Sequence, residues 1–163
     1  MTDYPKLVQT LKNAAVDFII VGGFAGVAHG SARQTNDLDV VYSRRTDNLK
    51  RLVASIEPLQ PFLRRAPRSL PFLWDEETIR LGLNFTLTTS LGDLDLLGEI
   101  SGGGSYDALL PHTVSLKLFG LDCLFLDLET LIRVKRAAGR PRDLEAVAEL
   151  EALLEERNEH PGA

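Results

Sequence analysis

Apolar positions recur along this chain with two different periods, and the changes between them mark out its elements. Leu7, Val8, Leu11, Ala14 and Ala15 recur at helical spacing between Tyr4 and Val16, which predicts an amphipathic helix packed on a sheet. Phe18-Ile19-Ile20-Val21 is a short, β-branched apolar run, the pattern of a buried strand. It breaks at Gly22-Gly23, where a chain without Cβ atoms can turn tightly or let a ligand approach the backbone. A helical stretch around Phe24 to His29 follows, ending near Gly30, and a second strand runs from Leu38 to Tyr42.

Further along, Leu49, Leu52, Val53 and Ile56 predict a helix capped by Thr46 or Asp47 and ended by Pro58 and Pro61. The connection from Leu63 to Pro71 is basic and broken by prolines, and is expected to be exposed. Ile79 to Thr88 alternates apolar and other residues, as a strand does. Gly92 then turns the chain into a partner strand, Asp93 to Leu97. Ser101 to Ser105 reads as a flexible loop, after which Tyr106 either folds back over a site or starts the next element. Thr113 to Phe119 and Leu121 to Leu126 read as a hairpin, and Asp122 or Asp127 precedes a helix from Leu128 to Ala138. Gly139-Arg140-Pro141 separates it from a last helix, Arg142 to Arg157, with an apolar stripe of Leu144, Val147, Ala148, Leu150 and Leu154. No internal repeat is visible.

A chain of 163 residues suits one domain with a respectable core, and its apolar fraction of 44% is ordinary. No apolar run approaches the roughly 18–20 residues of a membrane span, and the N-terminus lacks a signal-peptide core. The single Cys123 rules out an internal disulfide framework and a cysteine zinc site, and reads as a small buried apolar residue. These features point to the cytoplasm. A net charge of −5 does not advertise a nucleic-acid binder. Its distribution is uneven, with Arg44, Arg45, Lys50, Arg51, Arg64, Arg65 and Arg68 in the middle and six glutamates after Leu144. Net charge alone would hide a local basic surface.

The candidate chemistry sits at the glycine break. Residues two apart in a strand share a face, so Asp37 and Asp39 stand side by side facing Gly22-Gly23. Adjacent carboxylates repel and raise one pKa unless a cation compensates. Mg²⁺ suits the position, since it is held by one or two carboxylates plus substrate phosphates. An Asn-Asp turn would account for Asp37 but not for Asp39, which interrupts a run otherwise apolar through Val41. Asp93 and Asp95 share a face by the same period. Gly22 and Gly23 make either a plain strand-to-helix turn or a cradle of backbone amides for phosphate. Arg33 is either a surface charge or a phosphate contact. Lys135 and Arg136 suit a solvated helix C-terminus. His29 reads as structural, and His112 has no evident partner.

Val21-Gly22-Gly23, a spacer from Phe24 to Asn36, Asp37-Leu38-Asp39-Val40 and the later Leu94-Asp95-Leu96 together resemble the signature of the nucleotidyltransferase superfamily. His29-Gly30, Arg33 and Thr35 before the aspartates look like the small nucleotidyltransferases related to AbiEii-type toxins, and Lys135, Arg140 and Asp143 resemble that group's C-terminal pattern. The resemblance covers most of the chain. It implies an α/β (α+β) fold, a small mixed sheet flanked by helices, with residues 1–163 as a single domain and a helical tail over about 127–158. It implies Asp37, Asp39 and Asp95 as catalytic metal ligands for Mg²⁺ or Mn²⁺, with Asp95 favoured over Asp93 by its flanking leucines. Gly22, Gly23, Arg33 and Lys135 would bind the NTP, and Asp143 would pair with a basic neighbour or cap the last helix.

The activity so implied is transfer of a nucleoside monophosphate from an NTP to a hydroxyl of RNA, protein or a small molecule, as in a toxin–antitoxin component with a cognate protein partner. Larger relatives add a helical domain that grips the acceptor, and this chain has little room for one. The alternatives are a non-catalytic nucleotide-binding or antitoxin-type partner, and a metal-dependent phosphohydrolase. The latter leaves the spacing between Gly-Gly and Asp-x-Asp unexplained.

Overall fold

The computed structural model describes residues 1–162. Helix α1 (Tyr4–Asn13) is capped by Asp3, whose carboxylate accepts from the Lys6 amide, and it buries Leu7, Val8 and Leu11. Strand β1 (Phe18–Val21) leads directly into α2 (Gly22–Ala28), and β2 (Asp37–Tyr42) into α3 (Thr46–Ile56). Then come β3 (Phe62–Leu63), α4 (Glu76–Leu81), β4 (Asn84–Thr89) and β5 (Gly92–Leu97). A small pairing of β6 (Glu99–Ile100) with β7 (Gly104–Ser105) precedes α5 (Tyr106–Leu109). The hairpin of β8 (Thr113–Leu118) and β9 (Leu121–Leu126) is followed by α6 (Leu128–Ala138) and α7 (Pro141–Glu159).

Seven strands form one mixed sheet in the order β3-β4-β5-β2-β1-β9-β8, flanked by the helices. Pairings are antiparallel except β1 with β9 and β2 with β5, which run parallel. The fully buried β1 and the apolar positions of β2 lie at the middle of this order, so the residues that interrupt β2 sit at the heart of the sheet. Helices α1, α3 and α4 pack in sequence on one another, as do α2, α6 and α7.

Several boundaries differ from the sequence reading, each for a local reason. Ile79 to Leu81 is helical, not strand. Asp75 caps α4 by accepting from the Thr78 amide at 2.7 Å, Glu76 and Glu77 favour its first turn, and Gly82 ends it. Neither Thr46 nor Asp47 caps α3; the cap position is Arg45, and Asp47 lies in the first turn. Asp127, not Asp122, caps α6, accepting from the Thr130 amide at 2.8 Å. The Ser101–Ser105 stretch is packed rather than loose: a Cβ on Gly102 would come within 2.6 Å of the Ala137 methyl. Tyr106 starts α5. On α7 the buried positions are Asp143, Ala146, Val147 and Leu150, whereas Leu144 is 50% exposed and Ala148 also faces solvent. The basic middle is not one surface either, because Arg44 donates to Tyr42 and the Arg80 carbonyl, and Arg51 to the Ala15 carbonyl.

One buried polar residue ties the start of β1 to the end of β2. Asn48 is fully buried; its amide donates to the Asp17 and Ser43 carbonyls, and its oxygen accepts from the Asp17 amide at 2.7 Å. Asn48→Ala should therefore cost about 1–3 kcal/mol, the penalty for orphaned buried groups. Urea unfolding should show a lower midpoint with an unchanged slope.

Candidate active site

The parallel register of β2 and β5 sets Asp37 opposite Asp93 and Asp39 opposite Asp95. Alternation along each strand turns all four side chains to one face, while Leu38, Val40, Leu94 and Leu96 fill the buried face behind them. Asp37, Asp39 and Asp95 each offer an oxygen within 4.8 Å of the other two. Burial, and then the charges of Asp37 and Asp95, push the Asp39 carboxyl well above the usual carboxylate range. Burial and Asp37 raise Asp95 as well, against the opposing charge of Arg64. The Asp39 Oδ1 is buried without a hydrogen-bond partner. An orphaned anionic oxygen beside two further carboxylates is the donor set a hard divalent cation takes.

The glycine turn fits against this cluster because nothing larger can. Gly22 has φ +68°, and a Cβ there would lie 2.1 Å from Asp39 Oδ2. A Cβ on Gly23 would lie 2.9 Å from Thr35 Oγ1. The spacer between α2 and β2 is pinned from both ends of the chain. Thr2 Oγ1 donates to the Asn36 carbonyl, and the Tyr4 hydroxyl, its ring stacked on Phe24, donates to the Thr35 carbonyl. From α7, Glu149 accepts from Ser31 Oγ at 2.5 Å and from the Ala32 amide at 3.1 Å. Arg33 lies 3.6 Å from Glu145 on the same helix.

Cations answer the acidic face. The Lys135 side chain on α6 is 17% exposed and lies 4.0 Å from Asp143. Burial lowers the Lys135 pKa, while Asp143 and Asp39 oppose that shift. Asp143 does both things foreseen for it, pairing with Lys135 and with Arg140 Nε at 2.6 Å and capping the start of α7 by accepting from the Arg140 backbone amide at 3.3 Å. A cleft of about 550 Å³ opens over the carboxylates, lined by Gly23, Thr35, Arg33, Arg65, Lys135, Arg140 and Arg142 as well as the aspartates. A smaller groove of about 260 Å³ meets it at Asp39 and Lys135, with Gly22, Asn84, Ile100 and Val134 along it. His29 stays apart, its Nε2 2.7 Å from the Leu126 carbonyl.

The residue that sequence reasoning missed is Arg64, assigned there to an exposed connection. Its backbone amide donates to the Thr86 carbonyl at 2.9 Å, extending the pairing of β3. Its side chain, 20% exposed, reaches Asp95 at 2.7 Å, Asp93 at 3.3 Å and Asp37 at 3.8 Å. A two-residue strand has no readable period, so nothing in the sequence separated Arg64 from Arg65 and Arg68.

The raised Asp39 pKa has a stability consequence with a definite sign. The unfolded carboxyl ionises near pH 3.9, and the folded one only at higher pH. Ionisation therefore removes stability as pH rises from that value through the folded pKa, and costs nothing below it. Asp39→Asn should raise the metal-free melting temperature at neutral pH, and the gain should disappear below about pH 4. Calorimetric scans across that range check it; equal melting temperatures at neutral pH would contradict it.

No protein-family model and no curated protein matches the chain. Solved structures do. The chain is similar to a lincosamide antibiotic adenylyltransferase with lincomycin bound, with a TM-score of 0.61, 12% identity, and coverage of 94% of this chain and 98% of that one. It is similar to ANT(2'')-Ia in complex with adenylyl-2''-tobramycin, with a TM-score of 0.54, 15% identity, and coverage of 93% and 95%. It is also similar to an antigenic nucleotidyltransferase-like protein from Paracoccidioides brasiliensis, with a TM-score of 0.53, 18% identity, and coverage of 91% and 73%. At these identities the likeness is one of architecture: the chain has a nucleotidyltransferase-like fold.

Proposed function

We propose that this chain, acting as a single domain, transfers a nucleoside monophosphate from an NTP to an acceptor hydroxyl. The observation that carries the reading is the carboxylate cluster of Asp37, Asp39 and Asp95 against the Gly22 turn. In this reading those three residues hold Mg²⁺ or Mn²⁺, which when bound neutralises charge on the leaving pyrophosphate and acidifies the attacking hydroxyl. The backbone at Gly22 and Gly23 admits phosphate oxygens where a Cβ would collide with Asp39 or Thr35. Lys135, held by Asp143 and flanked by Arg140, binds the triphosphate, and Arg33 lines the same cleft. Asp95, its pKa raised by burial, takes the acceptor's proton. Positioning and electrostatics supply most of what such a transfer needs from protein groups.

The acceptor is RNA, protein or a small molecule, and the antibiotic-bound structural neighbours lend support to a small molecule. The detailed resemblance to AbiEii-type toxins adds a toxin–antitoxin role with a cognate protein. Arg64 favours a second reading, a non-catalytic nucleotide-binding or antitoxin-type partner, because it already gives the carboxylates a cation.

Each α-labelled NTP, offered with Mg²⁺ or Mn²⁺ and pools of RNA, protein and small hydroxyl compounds, should yield a labelled product with the wild-type protein. Asp39→Asn should lower transfer by about 10²-fold or more, because without that ligand the metal's positive charge is lost where negative charge develops. Lys135→Ala should chiefly raise the dissociation constant for NTP. Binding of NTP without product from any pool would favour the partner reading, and no NTP binding with metal present would reject both.

A further inference from the structure

Among the described residues, Arg64 is the one cation that reaches into the carboxylate cluster from the sheet edge, and its fork is incompletely satisfied there. Its Nη2 donates to Asp95 Oδ1 at 2.7 Å and to the Leu87 carbonyl at 2.8 Å, which saturates that nitrogen. Nη1 stands 3.8 Å from Asp37 Oδ2, beyond hydrogen-bond reach. Nε is 3.3 Å from Asp93 Oδ2 yet is buried with no hydrogen bond. Meanwhile Asp39 Oδ1, beyond the reach of the fork, is also buried without a partner. One guanidinium therefore faces a cluster of four carboxylates and satisfies one of them well.

We propose that Arg64 is a displaceable internal counter-ion: it holds Asp95 and Asp37 in the metal-free protein and competes with the divalent cation for their oxygens. This inference rests on the metal-dependent reading above and concerns how the site is loaded. A divalent ion and a guanidinium on one carboxylate repel each other, so the arriving ion weakens the Arg64–Asp95 contact and pushes the guanidinium away. The backbone of Arg64 stays fixed by its bond to Thr86, and the long side chain takes up the movement. The departing fork remains at the cleft, which Arg64 and Arg65 both line, where the phosphates of an incoming nucleotide offer it new acceptors. Metal binding is then weak alone and strengthened by nucleotide, since the triphosphate supplies ligands to the ion and a destination for the arginine.

Titrating Mn²⁺ into nucleotide-free protein, followed by paramagnetic resonance of the free ion, tests the competition without any turnover. Arg64→Gln, which keeps length and polarity but removes charge, should lower the Mn²⁺ dissociation constant by about tenfold, within the ordinary range of couplings between competing interactions. Arg64→Lys keeps the charge without the fork and should stay near wild type. In the metal-free state Arg64→Gln should melt lower than wild type, and saturating Mn²⁺ should shift it further upward. A merely structural arginine would give the opposite sign, with weaker Mn²⁺ binding on its loss. Unchanged or weaker binding by Arg64→Gln overturns the counter-ion role and leaves the metal site standing. Absence of Mn²⁺ binding in all three proteins overturns the counter-ion role together with the metal site.

Discussion

Like charges forced onto one face of a sheet are the constraint on which this structure turns. The parallel pairing of β2 with β5 brings Asp39 opposite Asp95, and alternation along β2 adds Asp37 to the same face. Sliding either strand by one residue would send these carboxylates into the apolar layer with Leu38 and Leu94, so the core and the acidic cluster specify the same register. The repulsion that results is not relieved within the cluster: Asp39 keeps a raised pKa and an oxygen without a partner. Everything packed around it answers that charge or leaves it room.

The room comes from Gly22, whose positive φ and missing Cβ let the start of α2 lie directly on Asp39. The answers come from Arg64 at one side and Lys135 at the other. Lys135 depends on the C-terminal helices, since Asp143 at the start of α7 holds both it and Arg140. The same helix fixes the spacer through Glu149, so α7 shapes the cleft twice, once through charge and once through a loop anchor. Thr2 and Tyr4 close the other side of that loop. The N-terminal segment and α7 thus meet at the stretch that separates the glycine turn from the aspartates.

Much of this was legible because the signals are local. A β-branched run, a glycine pair and two aspartates at period two each declare their conformation within a few residues, and the Leu94-Asp95-Leu96 alternation declares its face in the same way. What the sequence concealed depends on partners far along the chain. Ile79, Leu81 and Leu83 fit a strand as well as a helix, and the cap formed by Asp75 decided it. Leu144 fitted the helical stripe, yet the buried side of α7 is turned toward Asp143 and Ala146. Arg64 acquires meaning only when the two-residue strand before it pairs with β4 and delivers it to Asp95.

Metal-dependent transfer by this chain requires that the three carboxylates meet at one divalent ion beside the glycine turn. Crystals grown with Mn²⁺ and a non-hydrolysable NTP, measured at the manganese absorption edge, address this directly. Anomalous density should appear in contact with Asp37, Asp39 and Asp95, with the triphosphate on the Gly22 and Lys135 side of it. Nucleotide bound in the cleft with no manganese at those carboxylates, and Arg64 still on Asp95, would contradict metal-dependent transfer.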